Sequence, residues 1–213
     1  MNNNMKDKIT YEPAKSEFVG TWGKAGYREN FEVYSKQSGV SEREIVDTCL
    51  SPHFNKEHSA LEIGCGGGYW PGNYLCGNFA HVTGLDVLPG EPFSAPNFTY
   101  IEVPDRDYSC HGVPDESIDF VWSFGVFCHL NLSSIQAYLK SVYRVLKHGG
   151  KASLYFSNND RRPGCATIVN PTSGILWCNN DIPTTFAMLE KAGFKNPVDL
   201  IPRLTDSMVH VVK

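Results

Sequence analysis

Residues 60–70 read ALEIGCGGGYW, a short apolar run followed by four glycines within five positions. Apolar runs of four to eight residues that end in turn residues are typical of strands buried in a sheet. Glycine permits positive φ and lets a ligand approach the main chain closely. The stretch therefore predicts a strand that ends in a bare loop, beside which a ligand lies.

Six more apolar runs follow the same pattern, and helical segments separate most of them. Strands covered on both faces read as near-continuous apolar runs, and helical crossovers connect parallel strands. The pattern predicts a doubly wound, Rossmann-like α/β domain. It would hold a seven-stranded, mostly parallel sheet with an antiparallel C-terminal strand, helices on both faces and an N-terminal helical extension. The predicted strands are 59–64, 81–87, 97–103, 117–124, 151–157, 197–204 and 207–213.

Capping signals locate two of the helices. Ser41 with Glu44, and Ser133 with Gln136, have the spacing of a capping box, and Gly149 and Gly150 are expected to end the second helix. The chain is predicted to comprise a flexible tail, an N-terminal helical cap and one large domain, in which an insertion forms a lid. The bounds are 1–15, 16–57 and 58–213, with the insertion at about 158–180.

Composition limits the class of protein. The net charge is −4, and no cluster of Lys and Arg indicates a nucleic-acid partner. Seven cysteines without a CxxC pair favour neither a disulfide framework nor a zinc site. The N-terminal residues lack the apolar core of a signal peptide, and no run is long enough to span a membrane. We expect a cytoplasmic protein, monomeric or homodimeric, without a membrane partner.

The glycine spacing excludes two phosphate-binding motifs. A dinucleotide fingerprint, G-x-G-x-x-G, would need glycine at Tyr69 or at Pro71, and no Gly-Lys-Ser/Thr follows as in a P-loop. The pattern present is E-x-G-x-G-x-G, formed by Glu62, Gly64, Gly66 and Gly68. Here the chain resembles motif I of the class I S-adenosylmethionine-dependent methyltransferases. The helix, turn and strand at 143–154, YRVLKHGGKASL, are similar to that family as well.

The resemblance implies S-adenosylmethionine as cofactor and S-adenosylhomocysteine as product. By position in the motifs, Glu62 meets the ammonium end of the cofactor and the glycine loop lines it. Asp86, at the end of the second strand, accepts hydrogen bonds from the ribose hydroxyls. The implied cofactor-binding residues are Glu62, Gly64, Cys65, Gly66, Gly68, Asp86, Val87, Arg106, Asp107, Tyr108, Ser123, Phe124 and Gly125.

A small-molecule acceptor is expected, with a hydroxyl oxygen receiving the methyl group. Removal of the hydroxyl proton needs a base, and His129, shortly after the fourth strand, is the candidate. The alternative is that His129 forms a pocket wall or bonds to the main chain. No metal is predicted, because Asn158, Asn159 and Asp160 are typical of a turn.

Aromatic and arginine side chains outside the shared motifs suit a planar or anionic small molecule. The alternative is that Trp22 and Trp177 only cover the core. The candidate substrate-binding residues are Trp22, Tyr27, Arg28, Arg161 and Trp177, with Arg162 next to Arg161 in the insertion, and Trp70, which follows the glycine loop and is expected at the rim of the pocket. Two further functions stay open: a catalytically silent cofactor-binding protein or regulatory subunit, and a methyltransferase that acts on nitrogen or on a protein.

Overall fold

The computed structural model of the protein describes residues 38–161, 178 and 180–213. The predicted tail, most of the predicted cap and most of the predicted insertion lie outside these residues. So do four of the candidate substrate-contact residues and their neighbour in the insertion, namely Trp22, Tyr27, Arg28, Trp177 and Arg162.

In this described part of the chain, seven strands form one sheet in the order β3-β2-β1-β4-β5-β7-β6. All neighbouring pairs are parallel except that β7 runs antiparallel to both β5 and β6. The predicted doubly wound sheet with an antiparallel C-terminal strand is thereby confirmed. The strands are β1 (Asn55–Ile63), β2 (Phe79–Asp86), β3 (Phe98–Glu102), β4 (Ile118–Ser123), β5 (Leu146–Phe156), β6 (Lys195–Asp199) and β7 (Ser207–Val212).

In addition to a 3₁₀ turn at Ser51–His53, helical segments of the described residues pack on the two faces of the sheet. They are α1 (Glu42–Ile45), which continues as a π-helical turn at Val46–Leu50, α2 (Pro71–Leu75), α3 (Leu132–Val145) and α4 (Ile182–Ala192). Side chains alternate along each strand, so Leu61 of β1 lies in the core with α3 and α4, whereas Ala60 lies in the core with α1 and α2. The sheet is therefore covered on both sides, as predicted.

The predicted start of α1 is confirmed, because the Ser41 hydroxyl accepts a hydrogen bond from the Glu44 N–H at 3.2 Å. For α3 the prediction was wrong by two residues. Its N-cap is Asn131, whose side-chain oxygen accepts from the Ser134 N–H at 2.9 Å, and Ser133 donates to the same oxygen. Asn and Ser are almost equally good N-caps, so spacing alone does not choose between them.

The predicted end of α3 at Gly149 and Gly150 was also wrong. The helix ends at Val145, because Leu146 already pairs with Ile118 in the sheet. Gly150 lies within β5, where a Cβ atom would come 2.8 Å from the Lys147 carbonyl oxygen. The glycine at 150 thus permits a close strand contact rather than ending a helix. Among the described residues, no helix is long and apolar enough to cross a membrane.

Candidate cofactor and active site

The carboxyl ends of β1, β2 and β4 meet at one edge of the sheet. Ile63 of β1 lies opposite Leu85 of β2, and Glu62 lies opposite Trp122 of β4. From β1 the chain first proceeds outward to β2 and β3, and then returns to the other side of β1 at β4. Ligands of open α/β sheets bind at such a reversal, beyond the carboxyl ends of the strands. The glycine stretch follows β1 at this point.

Hydrogen bonds fix the main chain of the glycine loop. The N–H groups of Gly64 and Cys65 both donate to the Leu85 carbonyl oxygen, at 2.8 and 3.1 Å. The Gly68 N–H donates back to the Cys65 carbonyl oxygen at 2.8 Å. The loop is consequently a defined turn attached to β2. Tyr69 and Trp70 begin the helical segment that follows.

The three motif glycines have different reasons to lack a side chain. A Cβ atom on Gly64 would lie 2.1 Å from Val126 Cγ2, and one on Gly68 would lie 2.5 Å from the Phe93 ring. At Gly66, φ is +50° and no atom lies within 4 Å of the Cβ position. Gly64 and Gly68 are therefore bare because neighbouring side chains pack against them. Gly66 faces open space, as expected where a ligand lies.

Glu62, the last but one residue of β1, is completely buried. Neither carboxylate oxygen has a hydrogen-bond partner among the described residues. Burial, and next the charge of Asp86, raise the pKa of this carboxyl well above its ordinary value. Buried carboxyl groups normally have partners, because an unpaired polar group in the interior is costly. Glu62 is thus a site for a hydrogen-bond donor or a cation.

Asp86 ends β2 beside the loop. Its Oδ2 accepts from the Gly66 N–H at 2.6 Å, and its Oδ1 accepts from the Leu88 N–H at 2.9 Å. A carboxylate offers about four acceptor positions, so further donors such as ribose hydroxyls fit on it. Val87 is partly buried against the core under this position. The side chains of Cys65 and Phe98 lie near Gly84, where a Cβ atom would come 2.8 Å from each.

Three of the implied cofactor-binding residues, Arg106, Asp107 and Tyr108, lie in the loop after β3. Asp107 Oδ1 accepts from the Ser109 N–H at 2.8 Å, and the Tyr108 ring packs on Tyr138 of α3 at 5.6 Å. Burial raises the pKa of Tyr138, with smaller contributions from its neighbours, among them Asp86 and Asp107. The loop after β3 therefore packs on α3 through the Tyr108 ring. Arg106 is exposed, with φ of +60°.

The end of β4 forms the other wall of the site. Ser123 is fully buried, and its hydroxyl donates to the Ile63 carbonyl oxygen at 3.0 Å. Phe124 packs on Tyr155 at 4.6 Å between ring centroids. Gly125 follows, with no atom within 4 Å of its Cβ position. Ser123 thus joins the ends of β1 and β4, while Phe124 and Gly125 border the open edge.

His129 lies in the turn between β4 and α3. The side chain is 6% exposed, and its main-chain N–H donates to the Val126 carbonyl oxygen at 2.9 Å. The same turn carries Val126, which packs against Gly64. His129 is therefore on the loop that contacts the glycine loop. Its role as a base stays a prediction.

Trp70, predicted at the rim of a substrate pocket, instead lies in the core. It is 2% exposed and packs on Trp122 at 5.1 Å and on Phe124 at 5.4 Å. It is the second residue of the helical segment after the loop, and helical geometry turns it toward the sheet rather than toward solvent.

Arg161, another candidate for substrate contact, is engaged within the protein. Its guanidinium forms an ion pair with Asp199 and donates to the carbonyl oxygens of Ile201, Leu204 and Asp206. These bonds attach the segment after β5 to the turn between β6 and β7. The described contacts of Arg161 are thus structural, and its contact with a substrate stays a prediction.

The predicted turn at residues 158–160 is present, since Asn158 Oδ1 accepts from the Asp160 N–H at 3.0 Å. Asn158 also donates from its side chain to the Ser207 hydroxyl at 2.9 Å. Within the described part of the chain, no group of three or more His, Cys, Asp or Glu side chains is arranged to hold a metal ion.

Three residues at the site were missed by the sequence analysis. Val126 and Phe93 fill the spaces that Gly64 and Gly68 leave, and Tyr138 is the residue on which the Tyr108 ring packs. Nothing in the sequence distinguishes Val126 or Phe93 from other apolar residues in loops. Tyr138 has the helical spacing of a core residue, and that spacing gives no sign of its contact with the loop after β3.

Comparison with known proteins agrees with this site. Residues 61–154 match the family model described as a methyltransferase domain. The match begins in β1, beside Glu62, and ends within β5. Residues 61–154 therefore carry a methyltransferase domain, whose cofactor is S-adenosylmethionine. The partly open Gly66 and the unpartnered Glu62 carboxyl fit the nucleoside and the ammonium group of that cofactor, and Asp86 fits its ribose.

Individual relatives share the domain to different extents. Arsenite methyltransferase of Mus musculus is 34% identical over 116 residues, which cover 46% of this chain and 30% of the relative. This chain therefore spans less than a third of that relative's length.

Two solved structures share the fold. One is 1,6-didemethyltoxoflavin-N1-methyltransferase of Burkholderia thailandensis, with bound 1,6-didemethyltoxoflavin and S-adenosylhomocysteine. It has a TM-score of 0.64 at 15% identity, with 93% of this chain and 86% of that chain covered. The other is a complex of the Trm112 methyltransferase activator and a putative methyltransferase of Haloferax volcanii. It has a TM-score of 0.68 at 13% identity, with 90% and 95% covered.

Proposed function

We propose that this protein transfers the methyl group of S-adenosylmethionine to a small-molecule acceptor, and that the acceptor atom is a hydroxyl oxygen. The observation that carries the cofactor assignment is the buried, unpartnered carboxyl of Glu62 beside the open position at Gly66. A phosphate ligand would be repelled by this carboxyl and by Asp86. A ligand with an ammonium group and free ribose hydroxyls is attracted by both.

When bound, S-adenosylmethionine supplies a methyl group on a positively charged sulfur, which is open to attack by a nucleophile. Asp86 would accept hydrogen bonds from the ribose, and Glu62 would face the ammonium group. The glycine loop, tied to Leu85, would hold the main chain against the nucleoside. The task of these residues is to bind and orient, since alignment of two reactants supplies a large part of the rate acceleration.

The aromatic cluster under the end of β4 would keep water from the reacting groups. Phe124 packs on Tyr155, Trp70 and Trp122, and each of these four side chains is at most 9% exposed. Packed interiors resist deformation, so this cluster gives the end of β4 a rigid apolar support. Exclusion of water strengthens the electrostatic interactions in such a site.

Support for a small-molecule acceptor comes from the Burkholderia thailandensis neighbour, whose structure holds a small heterocycle. For a hydroxyl acceptor, His129 would remove the proton. An imidazole has an ordinary pKa near neutrality and is therefore suited to that role.

Cofactor binding and turnover test this function separately. Calorimetry with S-adenosylhomocysteine should show binding, and a homocysteine-release screen of phenols, alcohols and amines should identify the acceptor. His129→Gln should then lower turnover on a hydroxyl substrate by about 10²-fold or more without changing cofactor affinity. His148→Gln is the matched control, because His148 is 85% exposed at the start of β5, at the opposite edge of the sheet. Absence of cofactor binding would refute the proposal.

A second candidate acceptor is arsenite, favoured by the 34% identity to the mouse arsenite methyltransferase. Trivalent arsenic carries a lone pair, so its methylation requires no base. Incubation with arsenite, a thiol and S-adenosylmethionine, followed by arsenic speciation, should then yield methylated arsenic. His129→Gln should leave that yield unchanged, in contrast to the hydroxyl reaction.

We also propose that the protein acts in the cytoplasm as a monomer or homodimer, without a nucleic-acid or membrane partner. The acidic net charge of −4 supports the absence of a nucleic-acid partner. Sedimentation analysis of the purified protein would give its oligomeric state. A species larger than a dimer would contradict the proposal.

A further inference from the structure

The Glu62 carboxyl is enclosed by acidic or neutral groups. The titratable groups of the described residues that interact with it are Asp86 at the end of β2, Cys65 in the glycine loop and Cys76 after α2. None of the three is a cation. The strand that carries Glu62 is hydrogen-bonded to β2 on one side and β4 on the other, so solvent does not reach the carboxyl through the sheet.

A carboxylate in this position has neither a donor nor a counter-ion. Its two oxygens have no hydrogen-bond partner among the described residues, and the side chain is completely buried. Burial of an unpaired charge is unfavourable, and such groups bind a proton instead. Asp86 differs, because two main-chain N–H groups donate to it and favour its charged form.

We propose that Glu62 is protonated in the ligand-free protein and ionises when the ammonium group of the cofactor binds, so that binding releases one proton to solvent. The O–H bond of the carboxyl breaks, the proton leaves to bulk water, and the carboxylate faces the ammonium. The inference rests on the proposed function, since it requires S-adenosylmethionine or S-adenosylhomocysteine as the ligand. The raised pKa of Glu62 is consistent with it.

Proton release should distinguish a ligand that carries the ammonium group from one that does not. 5′-Methylthioadenosine carries the same nucleoside but no ammonium group. On binding, it leaves Glu62 without a counter-ion, and the carboxyl keeps its proton. At pH values below the pKa of Glu62, the affinity for S-adenosylhomocysteine should increase about tenfold for each unit by which the pH is raised. The affinity for 5′-methylthioadenosine should not change with pH.

Calorimetry in two buffers with different heats of ionisation measures the released protons directly. A pH of about 5.5 to 6.5 is suitable, because an ordinary glutamate is already ionised there and the α-amino group of the ligand is still protonated. We expect about one proton released per S-adenosylhomocysteine bound to the wild-type protein, and none per 5′-methylthioadenosine.

Glu62→Gln should abolish the release while preserving the size of the side chain. Glu57→Gln should retain it, because Glu57 is an exposed glutamate on the same strand. If Glu62→Gln does not bind the ligand, difference infrared spectroscopy of the wild-type protein tests the protonation of Glu62 instead. The C=O band of a protonated carboxyl should disappear on addition of S-adenosylhomocysteine.

The outcomes separate the two proposals. Binding of S-adenosylhomocysteine without proton release, or with equal release in Glu62→Gln, overturns the inference and leaves the proposed function intact. No binding of S-adenosylhomocysteine overturns both. Release with S-adenosylhomocysteine alone, lost in Glu62→Gln, supports the inference.

Discussion

The ends of β1 and β5 both bury polar side chains at the same edge of the sheet. At the end of β5, Tyr155 donates to Asp206 and the Asn158 side chain donates to Ser207. At the end of β1, Glu62 is equally buried, and no described residue bonds to its carboxyl. One edge of the sheet thus holds a network with internal partners and a carboxyl without one.

This difference separates structural from ligand-binding polar groups. A buried network whose members bond to one another stabilises the fold, and its disruption leaves unpaired groups in the interior. A buried carboxyl without a partner lowers stability and is retained where a ligand provides the partner. Mutations at the two strand ends should therefore have opposite effects on stability and on cofactor affinity.

Asp206→Ala should have the largest effect. It removes the acceptor of the Tyr155 hydroxyl and of the Asn158 N–H in a fully buried site. We expect the free energy of unfolding, measured by urea denaturation, to fall by about 3 kcal/mol. Affinity for S-adenosylhomocysteine should change by less than about twofold, since the ligand-binding groups are elsewhere. Asp47→Ala, at a 59% exposed aspartate, is the control and should have little effect.

Gly66→Val should have the opposite effects, a large loss of cofactor affinity and a small loss of stability. A side chain here occupies the open space of the loop without meeting protein atoms, so affinity for S-adenosylhomocysteine should fall by about 100-fold or more. The positive φ should reduce stability by only about 1–2 kcal/mol. Gly149→Val has similar backbone strain and open space at the other end of the sheet. It should lose the same stability and no affinity; equal losses of affinity would contradict the assignment.

Glu62→Gln should stabilise the ligand-free protein. The folded-state pKa of Glu62 is raised, so its favourable contribution is complete below the unfolded pKa of about 4.3 and is lost as pH rises through the folded value. Glutamine stays neutral, so the gain in unfolding free energy should grow as the pH rises above about 4.3 toward neutrality. Denaturation at several pH values measures it. A variant that is less stable than the wild type at neutral pH would contradict the prediction.

Arg203→Met should have the smallest effect. Arg203 pairs with Glu44 and donates to the Gly39 carbonyl oxygen, but its side chain is 59% exposed. Exposed ion pairs contribute little, so we expect a loss of about 0.5 kcal/mol that decreases in high salt. A loss as large as that of Asp206→Ala would contradict this expectation. It would show that the presence of a hydrogen-bonding partner, rather than the burial of the pair, determines how much the pair stabilises the protein.

The sheet was predictable because its signals are local. Each strand is an apolar run between turn residues, and the parallel order follows from the crossovers. The ends of α3 were not predictable in the same way. At its start, Asn131 and Ser133 are similar caps, and at its end, the pairing of Leu146 with Ile118 overrides the glycines downstream. Local signals therefore fix which elements exist better than where they end.

The candidate site was predictable only in its motif residues. The roles of Glu62, Gly66 and Asp86 follow from the resemblance to the family's motifs, and the structure brings these residues together at one strand edge. Trp70 and Arg161 were predicted from residue type and from their positions next to the motifs, and both have partners inside the protein. Aromatic side chains also occur in cores, and arginine side chains also occur in hydrogen-bond networks within the protein. Residue type alone therefore does not identify a substrate pocket.

The contact between Gly64 and Val126 limits how this domain can be recombined. One residue belongs to the loop after β1 and the other to the loop that also carries His129, and they meet where even a methyl group would not fit. A chimera that takes either loop from a relative must therefore take both, or restore the matching pair of sizes. The cofactor loop and the loop after β4 behave as one exchangeable unit.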